Sequence, residues 1–124
     1  YINEEAPDFL FLYLGETDEV GGHDCGWMSE QYMKSVSKAL SCVEKLQGAI
    51  SDDYTIILCA DHGGHDRSHG SECDEDMTIP VVFCGKPFEK NKEVTDVSIK
   101  DIATTIASLL EVKPAKEWEG KIIS

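Results

Sequence analysis

The stretch that most limits what this chain can become is Ala60-Asp61-His62-Gly63-Gly64-His65-Asp66-Arg67-Ser68-His69-Gly70. Three of the four histidines of the chain stand in it, together with two carboxylates. It comes directly after Tyr54-Thr55-Ile56-Ile57-Leu58-Cys59-Ala60, a β-branched, apolar run that reads as a buried strand. The chain therefore leaves a strand through an Asp-His pair and two glycines, which allow a sharp turn and a close approach of other groups. Carboxylate and imidazole together are a ligand set for zinc, with manganese or iron as rivals. The plain alternative is a solvated loop that happens to be rich in histidine. Against it, the fourth histidine, His23, lies in a second glycine-rich loop that also comes after an apolar run, Asp8-Phe9-Leu10-Phe11-Leu12-Tyr13-Leu14.

Charge narrows the partners. With 24 acidic residues against 11 basic ones the net charge is −13, so no basic face is offered to a nucleic-acid duplex. No apolar run reaches the roughly 18 residues of a membrane span. The 124 residues suit one domain. The start, Tyr1-Ile2-Asn3-Glu4-Glu5, is neither a signal peptide nor an initiator methionine, and reads as part of something longer or as a matured product. Five cysteines without regular spacing point to a reducing compartment, the cytoplasm favoured, with Cys42, Cys59 and Cys84 packing as small apolar groups. Cys25 and Cys73 stand in loops beside the histidines, where a ligand or redox role is open to them.

The periodicities predict an α/β fold. Residues 8–14 and 54–60 read as strands covered on both faces, and 79–84 as a third, with Pro80 at its start or on an edge. Ser29 caps a helix running to about residue 50, its apolar stripe Met33, Val36, Leu40, Val43, Leu46 and Ile50. Ser98 and Asp101 have the form of a capping box ahead of a second helix with Ile99, Ile102, Ile106, Leu109 and Leu110 on one side. Trp118, Ile122 and Ile123 pack the tail. Strand, helix, strand implies a parallel pair with a right-handed crossover. Three strands apolar on both faces would leave a hydrophobic edge, which a larger sheet would cover.

In an open parallel sheet ligands bind beyond the carboxyl ends of the strands. If strands 8–14 and 54–60 are neighbours, Asp18, His23, Asp61, His62 and His69 converge there. That is too many donors for one tetrahedral zinc and enough for one full site and part of another, the two-metal clamp of phosphoryl transfer. A structural zinc is the competing reading, though such sites favour cysteine ligands.

These residues resemble a known family. Asp18-Glu19-Val20-Gly21-Gly22-His23 with Gly26-Trp27-Met28-Ser29, then Ala60-Asp61-His62-Gly63-Gly64 through His69-Gly70, are similar to the type I phosphodiesterase/nucleotide pyrophosphatase group of the alkaline phosphatase superfamily. The tail from Asp101 through Leu110 to Trp118-Glu119-Gly120 is similar to the end of those enzymes. The resemblance implies a parallel-sheet α/β/α sandwich, of which residues 1–124 are the C-terminal portion. It also implies two divalent metal ions, zinc with manganese as the alternative, one held by Asp18, His23 and His69 and the other by Asp61 and His62. A further Asp and the Thr or Ser nucleophile of such enzymes would lie upstream of Tyr1. The implied reaction is hydrolysis of phosphodiester or nucleotide pyrophosphate bonds in a small-molecule phosphate ester. Sulfate ester hydrolysis, or a catalytically inert metal-binding piece, are the alternatives. The Asp-to-His loop is one residue longer than usual, which makes Glu19 a rival of Asp18. Asp18 is preferred because Glu16-Thr17-Asp18 keeps the family's order if an extra glycine is looped out. His65 contacts substrate, orients a ligand from behind, or is merely solvated. Arg67 binds phosphate or pairs with the acidic patch from Glu72 to Asp76, the latter preferred.

Overall fold

In a computed structural model that describes all 124 residues, the elements in chain order are α1 (Ile2–Glu5), a π-helical segment (Thr17–Asp24), α2 (Glu30–Ala49), β1 (Ile56–Cys59), α3 (Asp74–Met77), β2 (Val81–Cys84) and α4 (Ile99–Leu109). The two long helices form where their caps placed them. Ser29 Oγ accepts from the Tyr32 amide at 3.1 Å, and Lys34 answers Glu30 one turn earlier at 2.6 Å, an i,i+4 pair in the favourable order. At α4 the Ser98 hydroxyl accepts from the Lys100 amide and Asp101 Oδ2 accepts from the Ser98 amide at 2.8 Å. Two orphan donors of the first turn are thereby satisfied.

The sheet differs from the expectation. β1 and β2 pair antiparallel, with Ile56 opposite Cys84 and Cys59 opposite Val81, and they are the whole sheet. The connection between them, residues 60–80, contains only the single turn of α3 and lacks the full helix that usually carries a parallel return. The chain therefore folds back on itself. Residues 8–14 are not a strand. A strand needs a ladder partner for its amides and carbonyls and cover for its apolar faces, and this segment has neither. Phe9, Leu10, Phe11, Leu12 and Tyr13 are 41–77% exposed. The expected strand–helix–strand crossover is accordingly absent, and the parallel sandwich is not formed within these 124 residues.

The apolar surfaces are thinly covered elsewhere too. Only Ala107 and Ile123 among the apolar side chains are buried, and Met33 and Leu40 on the apolar stripe of α2 stay exposed. Cys42, Cys59 and Cys84, expected inside, are exposed as well, because no second layer lies over them. The accessible surface is 9260 Å², roughly 40% more than the ~6,600 Å² of a compact monomer of this mass. No helix is long and apolar enough to cross a membrane.

The C-terminal end is held by polar contacts. Asp101 Oδ1 accepts from the Lys121 amide at 2.8 Å, and the Thr105 hydroxyl, on a side chain 1% exposed, accepts from the Ile123 amide at 3.0 Å. The hydrogen bonds from the Ser98 and Lys121 amides hold the Asp101 carboxyl below the usual carboxylate range. We expect Thr105→Val, which keeps the shape but removes the acceptor, to lower unfolding stability by about 1–3 kcal/mol, the cost of a stranded buried amide. Urea denaturation measures this, and Thr105→Ser should recover most of it.

Candidate metal centre

Asp18 and His23 are carried by the π-helical segment Thr17–Asp24. His23 stands five positions after Asp18. In an α-helix that spacing would splay the two side chains, whereas the wider π turn bonds residue i to i+5 and sets them on one side. The longer Asp-to-His loop is thus absorbed by rewinding the turn and not by looping out a glycine. The segment is seated on α2 through Gly21, where a Cβ would meet Ser35 Oγ and the Tyr32 ring.

Trp27 joins this segment to the histidine-rich loop. Its indole lies against Gly22 on one side and Gly64 on the other, and a Cβ at either position would overlap the ring. It also meets His23 and His69 edge-on, at centroid distances of 5.2 and 5.9 Å. The Trp27 amide donates to the Asp66 carbonyl at 2.7 Å. Two separate loops are fastened together in this way.

Asp18 Oδ1 sits at the centre of the cluster they hold. It is buried and has no hydrogen-bond partner. The Nε2 atoms of His23, His62 and His69 stand 3.7, 3.9 and 3.9 Å from it, beyond hydrogen-bond length. The tautomers of two of these rings explain why. His23 Nδ1 lies 3.1 Å from the Arg67 carbonyl and His62 Nδ1 2.7 Å from the Gly63 carbonyl. A carbonyl only accepts, so each Nδ1 carries a proton, and in the neutral ring this leaves Nε2 as the lone-pair atom facing the carboxylate. Lone pairs facing lone pairs across such a gap are the arrangement a cation satisfies. An imidazole that donates its other nitrogen to a carbonyl is the usual state of a metal-binding histidine. His62 and His69 stack in near-parallel rings at 3.8 Å.

Asp18, His23 and His69 have ligand atoms within 4.8 Å of one another. Asp61 is not drawn in. Its carboxylate is 76% exposed, 3.8 Å from His62 Nε2 on the solvent side. Glu19, the rival of Asp18, is exposed and outside the cluster.

A second group, His65, Cys73 and Asp76, also lies within 4.8 Å, but its chemistry differs. Asp76 is 3% exposed, and both its carboxylate oxygens are taken, by His65 Nδ1 at 2.8 Å and by the Ser71 amide at 2.7 Å. Its carbonyl receives the Gly63 amide at 2.8 Å. Asp76 is therefore the bolt that fixes residues 63–71. In the sequence it stands out only as part of an acidic patch. A lone carboxylate in a one-turn helix carries no signal that would separate it from Asp74 or Glu75. Arg67, expected to pair with that patch, makes no ion pair. Of the patch only Asp76 turns inward, to His65, while Glu72, Asp74 and Glu75 stay exposed without an ion pair to Arg67.

The chain belongs to the metalloenzyme superfamily, whose family model matches residues 1–114. Metal binding and an alkaline-phosphatase-like enzyme class, the coarser parts of the resemblance, stand on that match. The narrower assignment is corrected by the similar proteins. A 2,3-bisphosphoglycerate-independent phosphoglycerate mutase of Parabacteroides distasonis is 28% identical over 97% of this chain and 24% of its own length. A phosphopentomutase of Alkaliphilus oremlandii is 29% identical over 97% of this chain and 30% of its own. These are phosphate-moving mutases, not phosphodiesterases or nucleotide pyrophosphatases, so the expected hydrolysis is withdrawn. The chain spans about a quarter to a third of the length of these relatives. No solved structure matches it.

This geometry sets two expected outcomes. Gly64→Ala should overpack Trp27 and lower the unfolding midpoint by the equivalent of about 1–3 kcal/mol. Gly48→Ala, on an open face of α2 with nothing within 4 Å, should raise stability by about 1 kcal/mol through helix propensity. The second outcome concerns pH. The Asp76 carboxylate raises the His65 pKa, and the His65 hydrogen bond holds Asp76 well below the usual carboxylate range. The His65 share of stability is complete below its unfolded value of about 6.5 and is lost as pH rises through the raised folded one. The Asp76 share is complete above its unfolded value of about 3.9 and is lost as pH falls through the depressed folded one. The destabilisation caused by His65→Gln, measured by urea midpoints, should therefore be greatest between about pH 4 and 6.5 and shrink on both sides. A pH-independent difference would refute the pairing.

Proposed function

We propose that this chain carries most of the divalent-metal centre of a phosphoryl-transferring enzyme of the mutase kind, acting on a phosphorylated small molecule. The observation that supports it is the buried, partnerless Asp18 Oδ1 facing three imidazole Nε2 atoms. The relatives' names supply the reaction class. Asp18, His23 and His69 would hold one ion. His62 and Asp61 would begin the site of a second, its remaining ligands coming from the rest of the catalytic domain. That domain would also cover residues 9–14 and the free edge of β1. Zinc and manganese both suit the donor set of one carboxylate and two or three imidazoles. Such ions, when bound, supply positive charge to the oxygens of a transferring phosphoryl group.

The residues of this chain then have distinct parts. Asp18 neutralises and spaces the centre. The carbonyls of Arg67 and Gly63 fix the tautomers of His23 and His62 so that Nε2 is the donor atom. Trp27 keeps the two loops in register. His65, clamped by Asp76 with its Nδ1 proton directed inward, presents Nε2 outward and is the chain's candidate for a hydrogen bond to substrate. The group that receives the phosphoryl lies outside these residues.

Zinc titration by calorimetry tests the centre. His69→Ala and Asp18→Asn should each weaken the tightest site at least tenfold, and His62→Ala should weaken it less, since two ligands leave half a tetrahedral shell to water. Binding should also fall below about pH 6.5, where imidazoles take up protons. Tight binding that survives His69→Ala and is lost in His62→Ala would reverse the ligand order. For the reaction, the enzyme carrying this chain should isomerise a pentose phosphate or a phosphoglycerate in a ³¹P NMR assay. Release of inorganic phosphate alone would overturn the mutase reading.

A further inference from the structure

We infer that Arg67 is the substrate's anion-binding residue, its guanidinium taking the phosphate of the phosphorylated small molecule beside the metal centre; this rests on the function proposed above. Arg67 is the only arginine of the chain. Four of the ten lysines, Lys34, Lys38, Lys86 and Lys100, pair with carboxylates. Arg67 pairs with none, and unlike the unpaired lysines it stands in the histidine-rich loop itself. The acid nearest in sequence, Asp66, does not take it either.

Its backbone, in contrast, is firmly held. The Arg67 carbonyl receives His23 Nδ1, the Asp66 carbonyl receives the Trp27 amide, and His65 and Ser68 exchange both backbone hydrogen bonds at 3.0 and 2.9 Å. The turn that orients a histidine of the metal centre is the turn that projects the guanidinium. The side chain lines an open depression with Cys25, Trp27 and Met28, and Trp27 is the residue whose other edge meets His23 and His69. The same wall holds three residues in the left-handed region, Gly26 at φ 96°, Met28 at φ 64° and Asp66 at φ 49°. Non-glycine residues are kept there when surrounding structure imposes it, and such strain gathers at ligand-binding turns.

The chemistry matches. A guanidinium presents a planar fork of donors that takes two phosphate oxygens at once and stays charged at every working pH. A phosphoryl group at such a centre would keep oxygens that the ion does not reach, and a cation projecting from the adjacent turn complements them. An arginine bonded to a surface carboxylate would have to be released first. Arg67 is free.

The test is calorimetric titration of the zinc-loaded protein with inorganic phosphate and, separately, with ribose 5-phosphate, in wild type, Arg67→Gln and Arg67→Lys. Arg67→Gln should weaken phosphate binding at least tenfold and leave the zinc isotherm unchanged. Arg67→Lys, which restores charge but not the fork, should fall between. A larger loss for ribose 5-phosphate than for inorganic phosphate assigns the site to the ester, and equal losses assign it to the phosphate group in common. Both outcomes uphold the inference. A wild type that holds zinc and binds neither anion, or an Arg67→Gln variant that binds both as the wild type does, overturns the Arg67 assignment while the metal centre stands. A wild type that holds no zinc overturns the centre itself.

Discussion

One buried oxygen organises the site. Asp18 Oδ1 has no donor, and a carboxylate oxygen withdrawn from water without a partner carries a desolvation penalty that folded proteins rarely leave standing. The surrounding groups do not relieve the penalty, because the imidazoles of His23 and His62 direct their Nδ1–H groups to carbonyls on the far side. The contacts that build the centre, from the π turn beneath Asp18 to the indole between Gly22 and Gly64, gather three imidazole Nε2 atoms around one carboxylate oxygen. Asp76 shows how the same chain treats a buried carboxylate that is purely structural. There both oxygens receive donors, and the group closes a loop. The contrast between the two aspartates, one satisfied and one not, is what marks Asp18 as the candidate ligand.

A ligand set of this kind does not choose between hydrolysis and transfer. Aspartate and histidine around divalent ions lend positive charge to a phosphoryl group whether its acceptor is water or a hydroxyl of the substrate. The difference lies in the groups that hold the substrate and exclude water, and those groups are where the resemblance to phosphodiesterases reached too far. The mutase relatives move the question away from the metal and onto the wall around it. A transferring enzyme must keep its phosphorylated substrate close through both halves of the reaction. A cation such as the one proposed at Arg67 would answer that need in a way that one more metal ligand would not.

The site was more legible in the sequence than the fold was. The Asp-His and Gly-His elements are local, and a short loop places its own residues, so Asp18, His23, His62 and His69 could be grouped from their spacing and the apolar runs before them. The helices were legible for the same reason. Ser29 and Ser98 each cap a helix that begins at the next residue, and α2 and α4 start there. The sheet was not. Residues 8–14 have the composition of a central strand, yet strand formation depends on a neighbour and a cover that local pattern does not contain, and here both are missing. The π winding escaped because nothing in Thr17–Asp24 distinguishes a widened turn from a loop carrying an extra glycine. Asp61 is the looser member of the set: its carboxylate reaches within 3.8 Å of His62 Nε2 but is 76% exposed and lies outside the Asp18, His23 and His69 group.

The thin core bears on how the site can be so well formed. Few apolar side chains are buried, and hydrophobic cover, the usual source of rigidity, is sparse. The histidine-rich loop is fixed instead by polar links of small sequence separation, such as His62 to Gly63, His65 to Asp76 and Ser71 to Asp76. The His23 Nδ1 bond to the Arg67 carbonyl, the Trp27 amide bond to the Asp66 carbonyl and the Trp27 indole clip it to the loop that carries Asp18. None of these links needs a second sheet layer. Asp18, His23, His62 and His69 are thus brought together by the two loops themselves, on a chain in which residues 9–13 stay exposed.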